Sequence, residues 1–84
     1  MEKLIGKVTH FFNKINVAIL EITDGELNVG DTIHIKGHTS DFKQVVNSMQ
    51  IEHQSVQNAK KGDSIGLKVD SVAHEHDEVY KVTE

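Results

Sequence analysis

Cysteine, proline, tryptophan and arginine are all absent from this chain, and three Phe and one Tyr are its only aromatic rings. Without Cys, disulfides, thiol catalysis and thiolate-held zinc are excluded. No apolar run approaches the roughly 18 residues that a membrane span needs. Gly6, Lys7, Asn13 and Lys14 interrupt every stretch that would serve as the apolar core of a signal peptide, so a soluble, cytoplasmic protein with no membrane partner is expected. The lack of Arg removes the flat, bidentate fork that phosphate readers favour. Nine Lys stand against thirteen Asp and Glu, a net charge of -4, and such a chain is no strong nonspecific phosphate binder. Six His bring the formal charge to +2 if all are protonated, so behaviour is expected to change near an imidazole pKa of about 6.5.

Ala and Leu are also scarce, seven between them, against ten Val, eight Ile and five Thr. β-Branched side chains suit a pleated sheet and lose freedom in a helix. Leu, Ile, Val and Phe make up 25 of the 84 residues, well above the roughly 20% below which chains stay disordered. One small domain over residues 1–84 is therefore expected, with no room for a second lobe.

The strands are read from period-2 alternation and turn residues. Residues 4–12 form a first strand, Lys14-Ile15-Asn16 a turn, and 16–23 a second strand whose Val17–Leu20 run implies burial on both faces in part. Asp24-Gly25 and Gly30-Asp31 are turns flanking Leu27 and Val29. In 32–36, Ile33 and Ile35 point one way and Thr32, His34 and Lys36 the other. Residues 42–52 read as one long strand whose apolar phase slips between Phe42/Val46 and Met49/Ile51, which predicts a β-bulge near Asn47-Ser48. Residues 53–61 break the alternation, and Val56 and Ala59 predict a loop or a single helical turn. Ile65, Leu67 and Val69 mark a further strand, and 78–82 a last one with Tyr80 and Val82 on one face. Gly25, Gly30, Gly37 and Gly62 fall at strand ends, whereas Gly66 lies inside a strand, where it marks a bulge or a close backbone approach. Phe11, Phe12, Phe42 and Tyr80 are expected mostly in the core. The pattern predicts an all-β fold, a single six-stranded closed or nearly closed barrel over about residues 4–83.

The run from Asp24 to Gly37, DGELNVGDTIHIKG, resembles the central motif of the second domain of translational GTPases such as elongation factor Tu. Val56, Ala59 and the segment Lys61–Leu67 resemble that domain's apolar loop and following strand, and Asp77–Tyr80 its closing segment. The chain also resembles, more closely, the C-terminal barrel appended to collagenase-like peptidase-family proteins, through the run from Met49–His53 to Gly66. Three departures stand out. There is no G-x-x-x-x-G-K-[ST] loop, so neither GTP nor any other cofactor is expected. Asn13-Lys14-Ile15 replaces the family's Gly-Arg-Gly turn, and His76 stands where the family has Gly before the closing Asp. The translation-factor resemblance implies a non-catalytic module that presents one face to tRNA, a ribosome-associated component or a protein carrying RNA. A protein-docking or self-associating domain without nucleic-acid contact is the alternative, as is an accessory barrel of a separate peptidase-family-like enzyme.

Candidate sites follow from residue type. His74 and His76 lie two apart and would share one face of an extended segment, but two His without a third ligand make a poor metal site, so a structural loop is the favoured reading. No G-x-S-x-G elbow places a nucleophile, and catalysis is not expected. Lys60 and Lys61, with Lys43 and His53, form the candidate RNA contact. Phe11-Phe12 and Val17–Leu20 hold more apolar side chains than one interior accepts, so Phe12 and Ile19 are candidates for an outward protein contact.

Overall fold

A computed structural model describes residues 1–83; Glu84, the last residue of the expected domain, lies outside the described residues. The chain is all β, with ten strands and no helix among the described residues. In order they are β1 Glu2–Phe12, β2 Val17–Ile22, β3 Glu26–Asn28, β4 Thr32–Lys36, β5 Asp41–Val45, β6 Met49–Ile51, β7 Gln54–Val56, β8 Asn58–Lys60, β9 Ser64–Lys68 and β10 Glu78–Val82. Eight of them form one antiparallel sheet in the order β5-β4-β10-β1-β2-β9-β6-β7, and β3 pairs with β8 in a separate ribbon.

The expectation of a six-stranded closed or nearly closed barrel is corrected in strand number and in closure. The ladder starts at β5 and stops at β7, with no strand pairing between those edges among the described residues. A side chain does part of the work that a closing ladder would do. The buried Gln44 on β5 donates through Nε2 to the Lys68 carbonyl at 3.0 Å and accepts the Asp70 amide at Oε1 at 2.7 Å. Its carboxamide thus stands in for one peptide group of a missing neighbour strand.

The predicted 42–52 strand is two strands, β5 and β6, with different partners: β5 pairs with β4, whereas β6 pairs with β7 and β9. Both Val46 and Met49 are buried, three residues apart, so the chain must turn between them instead of continuing a period of two. The real bulges lie in β1, between Leu4 and Gly6 on the β10 side and between Val8 and His10 on the β2 side. They let Ile5 and Val8, of opposite parity, both reach the core.

The predicted loop or helical turn over 53–61 is also corrected. Ile51 pairs with Gln54 across a two-residue turn in which Glu52 (φ 51) and His53 (φ 67) both take left-handed conformations. That is the geometry of a type I′ hairpin, usually built from Asn-Gly. Val56 packs against the core from β7, and Ala59 on β8 is fully buried.

The interior is aliphatic. Ile5, Val8, Leu20, Ile22, Leu27, Ile33, Ile35, Ile65 and Leu67 are among its fully buried residues. No aromatic is fully buried with them: Phe11 and Phe42 pack half-buried against this core, Tyr80 is half-buried and Phe12 is exposed, so the expectation of core rings holds only in part. Val79, not Tyr80 or Val82, is β10's buried residue. Gly25, Gly30 and Gly62 do adopt positive φ, as their turn positions predict. Gly37 is needed for a different reason, because a Cβ there would run into the carboxylate of Asp77.

Candidate functional site

Two regions of the outer surface differ from ordinary solvated sheet. The first is an apolar groove of about 460 Å³ on the side of β2 and β9 that faces away from the core. On β2, Ala18, Leu20 and Ile22 turn inward, which leaves Val17 and Ile19 half-buried on the outer side. Gly66 on β9 pairs with Ile19 and, on its other flank, with Gln50. It marks neither a bulge nor a backbone clash: the β2–β9 register runs evenly through it, and an added Cβ would meet Ile19 Cδ1 at an ordinary 3.6 Å. What Gly66 does is leave the groove floor without a side chain.

Phe12 and Ile15, at the tip of the β1–β2 hairpin, overhang this floor at 50% and 61% exposure. Glu52 and His53 from the β6–β7 turn form its polar rim. Fully removing a side chain the size of Phe12 or Ile15 from water is worth about 1.5–3 kcal/mol, against about 0–1 kcal/mol for an exposed ion pair. Of the two kinds of contact available on this surface, the apolar one has more to offer a partner.

The second region is an ion cluster that sequence reading missed. His34 was placed on the solvent face of β4 and is buried there instead, beneath polar neighbours from three strands. Its Nδ1 lies 2.9 Å from both carboxylate oxygens of Glu2 on β1, and its Nε2 bonds the carboxylate of Asp41 on β5. Lys43 adds a cation 3.5 Å from Glu2, and the Tyr80 ring lies tilted 6.3 Å from the imidazole. Hydrogen bonds from Asp41 and then Glu2 outweigh burial and raise the imidazole above its usual pKa of 6.5. The same contacts hold both carboxyls below their usual range. Glu2 and His34 are 32 residues apart in sequence, and no local pattern announces their meeting.

A third cluster has the residue types of a hydrolase triad but not its wiring. Ser40 Oγ lies 2.8 Å from His74 Nδ1, and Asp77 Oδ2 approaches the same nitrogen at 3.9 Å. A relay needs the acid and the hydroxyl on opposite ring nitrogens. Asp77 is buried, and its Oδ2 accepts the His74 amide at 2.8 Å, which is the role of a turn-forming carboxylate.

The candidate metal residues His74 and His76 lie in the segment that leads into β10. The segment holding His74 and His76 is a tight turn, not an extended strand, and His76 sits in the left-handed region at φ 74. Among the described residues no group of three or more His, Asp or Glu side chains is arranged to hold a metal.

The candidate RNA residues are dispersed over three places. Lys43 is on edge strand β5 beside Glu2, His53 is in the β6–β7 turn at the groove, and Lys60 and Lys61 are exposed at the β8–β9 turn. Of the two candidate protein contacts, Phe12 and Ile19, both line the groove.

No family model matches the chain. It is 43% identical over 81 residues to an uncharacterized protease of Methanocaldococcus jannaschii, covering 95% of this chain and 20% of that protein. A collagenase of Porphyromonas gingivalis is 36% identical over 78 residues, covering 92% of this chain and 22% of that protein. The chain thus spans about a fifth of the length of the curated relatives it matches. In structure it matches the C-terminal domain of a Geobacillus thermoleovorans protein assigned to the U32 peptidases. The TM-score is 0.89 at 17% identity, covering 96% of this chain and 93% of that one. The selenomethionine variant of the same domain gives a TM-score of 0.85 at 16% identity. These relatives support the resemblance to peptidase-family barrels and lend none to the resemblance to translational GTPases. Among the described residues no helix is long and apolar enough to cross a membrane. Along nearly its whole length, then, the chain is similar in sequence to one domain-sized part of a protease and a collagenase, and it has the fold of the C-terminal domain of a protein assigned to the U32 peptidases.

Proposed function

We propose that this chain is a non-catalytic accessory domain that works beside a catalytic unit of the U32 peptidase kind and docks to it through the Phe12–Ile19–Gly66 groove. The observation that carries this reading is one of proportion. Relatives 36–43% identical across 92–95% of this chain have about four-fifths of their length beyond the matching part. A domain of this size therefore occurs beside a much larger body of protein, and the groove is apolar surface suited to such a neighbour. The Ser40, His74 and Asp77 wiring supplies no activated nucleophile.

An RNA-facing role has less behind it. Lys43 is paired with Glu2, Lys60 and Lys61 belong to a different turn, and the net charge is -4. The test is affinity capture on the tagged chain from host lysate, with and without ribonuclease. A U32-type protein retained after ribonuclease and lost with Phe12→Asp is the expected result. Retention of RNA that depends on Lys60 and Lys61 would overturn the proposal. So would peptide cleavage by the purified chain that Ser40→Ala abolishes.

A further inference from the structure

The ion cluster shares no residue with the groove, and its wiring has its own consequence. An imidazole has two ring nitrogens; protonated, it donates from both, and neutral, from only one. In this fold both nitrogens of one buried His face carboxylates that come from different strands, Glu2 from β1 and Asp41 from β5.

We propose that His34 is a proton-operated clasp that fastens the tip of the β4–β5 hairpin while it is an imidazolium and releases Asp41 when it becomes neutral. The choice of Asp41 follows from exposure. Its side chain is 70% exposed, so water takes over its lone pairs at little cost, whereas Glu2 is 31% exposed and keeps Lys43 at 3.5 Å. The single N–H of the neutral ring accordingly stays with Glu2 at Nδ1. Asp41 then faces an acceptor lone pair at Nε2 and turns to solvent. β5 lies at the edge of the sheet, so the released end is held by one neighbour strand only.

The remaining charged and titratable groups around the ring fit this assignment. Lys36, on β4 itself, pairs in register with Asp41 and lowers its carboxyl only weakly. From β5, Lys43 lies opposite His34 in register. From β10, Tyr80 lies opposite His34, and its hydroxyl donates to Glu78 at 2.9 Å, so neither group competes for the imidazole. The hairpin tip itself carries His38, and His74 bonds Ser40 there, so both must be separated from His34 in any titration.

The test is an NMR titration of the whole chain from pH 5 to 9, following the imidazoles, the carboxyl carbons of Glu2 and Asp41, and amide exchange corrected for its intrinsic pH dependence. His34 should titrate above 6.5. At that same midpoint the Asp41 carboxyl should shift while Glu2 stays. The Gly37 amide, which bonds the Ser40 carbonyl at 2.7 Å, should lose protection. The loss should be about tenfold for each pH unit by which the midpoint exceeds that of Asp41→Asn. Asp41→Asn should lower the midpoint and remove the step, and His74→Gln should leave both in place. A midpoint at or below 6.5, a Gly37 amide indifferent to His34, or a step that follows His74 or releases Glu2 would each overturn the clasp.

Discussion

Strand β1 contributes to both unusual regions of the surface, Glu2 at one end to the ion cluster and Phe12 at the other to the groove. At the Glu2 end, Glu2, His34, Asp41 and Lys43 are paired with one another within the chain. At the Phe12 end, a glycine floor and two overhanging apolar side chains leave surface without a partner. Polar groups on a sheet can saturate one another through register, but apolar groups on its outer side can only be covered by something else. The groove is therefore where another molecule is to be sought, and the ion cluster is where the chain regulates its own edge.

The comparison is broken most severely at the seam that holds the sheet's edge strand to the loop after β9. Gln44→Leu removes both bonds to Lys68 and Asp70. Chemical denaturation should show a loss of about 1–3 kcal/mol, the cost of leaving part-buried backbone groups unpaired. A loss below 0.5 kcal/mol would mean that water replaces the carboxamide.

The next largest effect is on pH dependence. The His34 pKa is raised, so its contribution is fully present below 6.5 and is lost as pH rises through the higher folded value. The Glu2 and Asp41 values are lowered, so theirs is present above 4.5 and 3.8 and is lost as pH falls through the lower folded values. Thermal unfolding should be most favourable to the fold between about pH 4.5 and 6.5, a window set by these three groups. In His34→Gln that maximum should flatten, and a curve unchanged from the parent would show that the cluster contributes nothing.

Gly66→Val sharpens the contrast from the other side. An added side chain at Gly66 points into the groove, where its Cβ meets Ile19 at 3.6 Å, so the fold should survive with a change of about 1 kcal/mol or less. Partner retention in the capture experiment should nevertheless fall at least tenfold. Equal retention by the variant and the parent would move the docking surface elsewhere.

The smallest effect is expected from Lys60→Glu with Lys61→Glu. Both residues are exposed at a turn, so stability by denaturant titration should stay within about 0.5 kcal/mol. Partner capture should not change, and its loss would restore the basic turn as the working surface.

The strands readable from sequence were those whose core-facing side chains alternate without a bulge. Ile33/Ile35 in β4, and Ile65/Leu67 in β9 continuing to Val69, alternate cleanly because the residues between them are polar or glycine, even where, as at His34, the polar one is itself buried. The β6–β7 hairpin was not legible because Glu52-His53 carries out a turn usually signalled by Asn-Gly. The bulges in β1 were missed because they sit in a run that reads as continuous strand. Phe12 and Ile19 were legible as surplus apolar residues on a two-faced element, and they do line one groove. Lys60 and Lys61 lie at the turn read from Gly62-Asp63, whereas Lys43 and His53 belong to other elements whose placement depends on strand register.

Composition and alternation were enough to establish that this chain is all β, through side-chain branching and a period of two, and the lack of Cys that it is free of disulfides. Only the tertiary structure decided that the sheet stays open with Gln44 across its seam, that Gly66 floors a groove, and that Glu2 and Asp41 meet on His34. Each of these depends on strand register between segments distant in sequence, and one residue of slip would send every side chain involved to the opposite face.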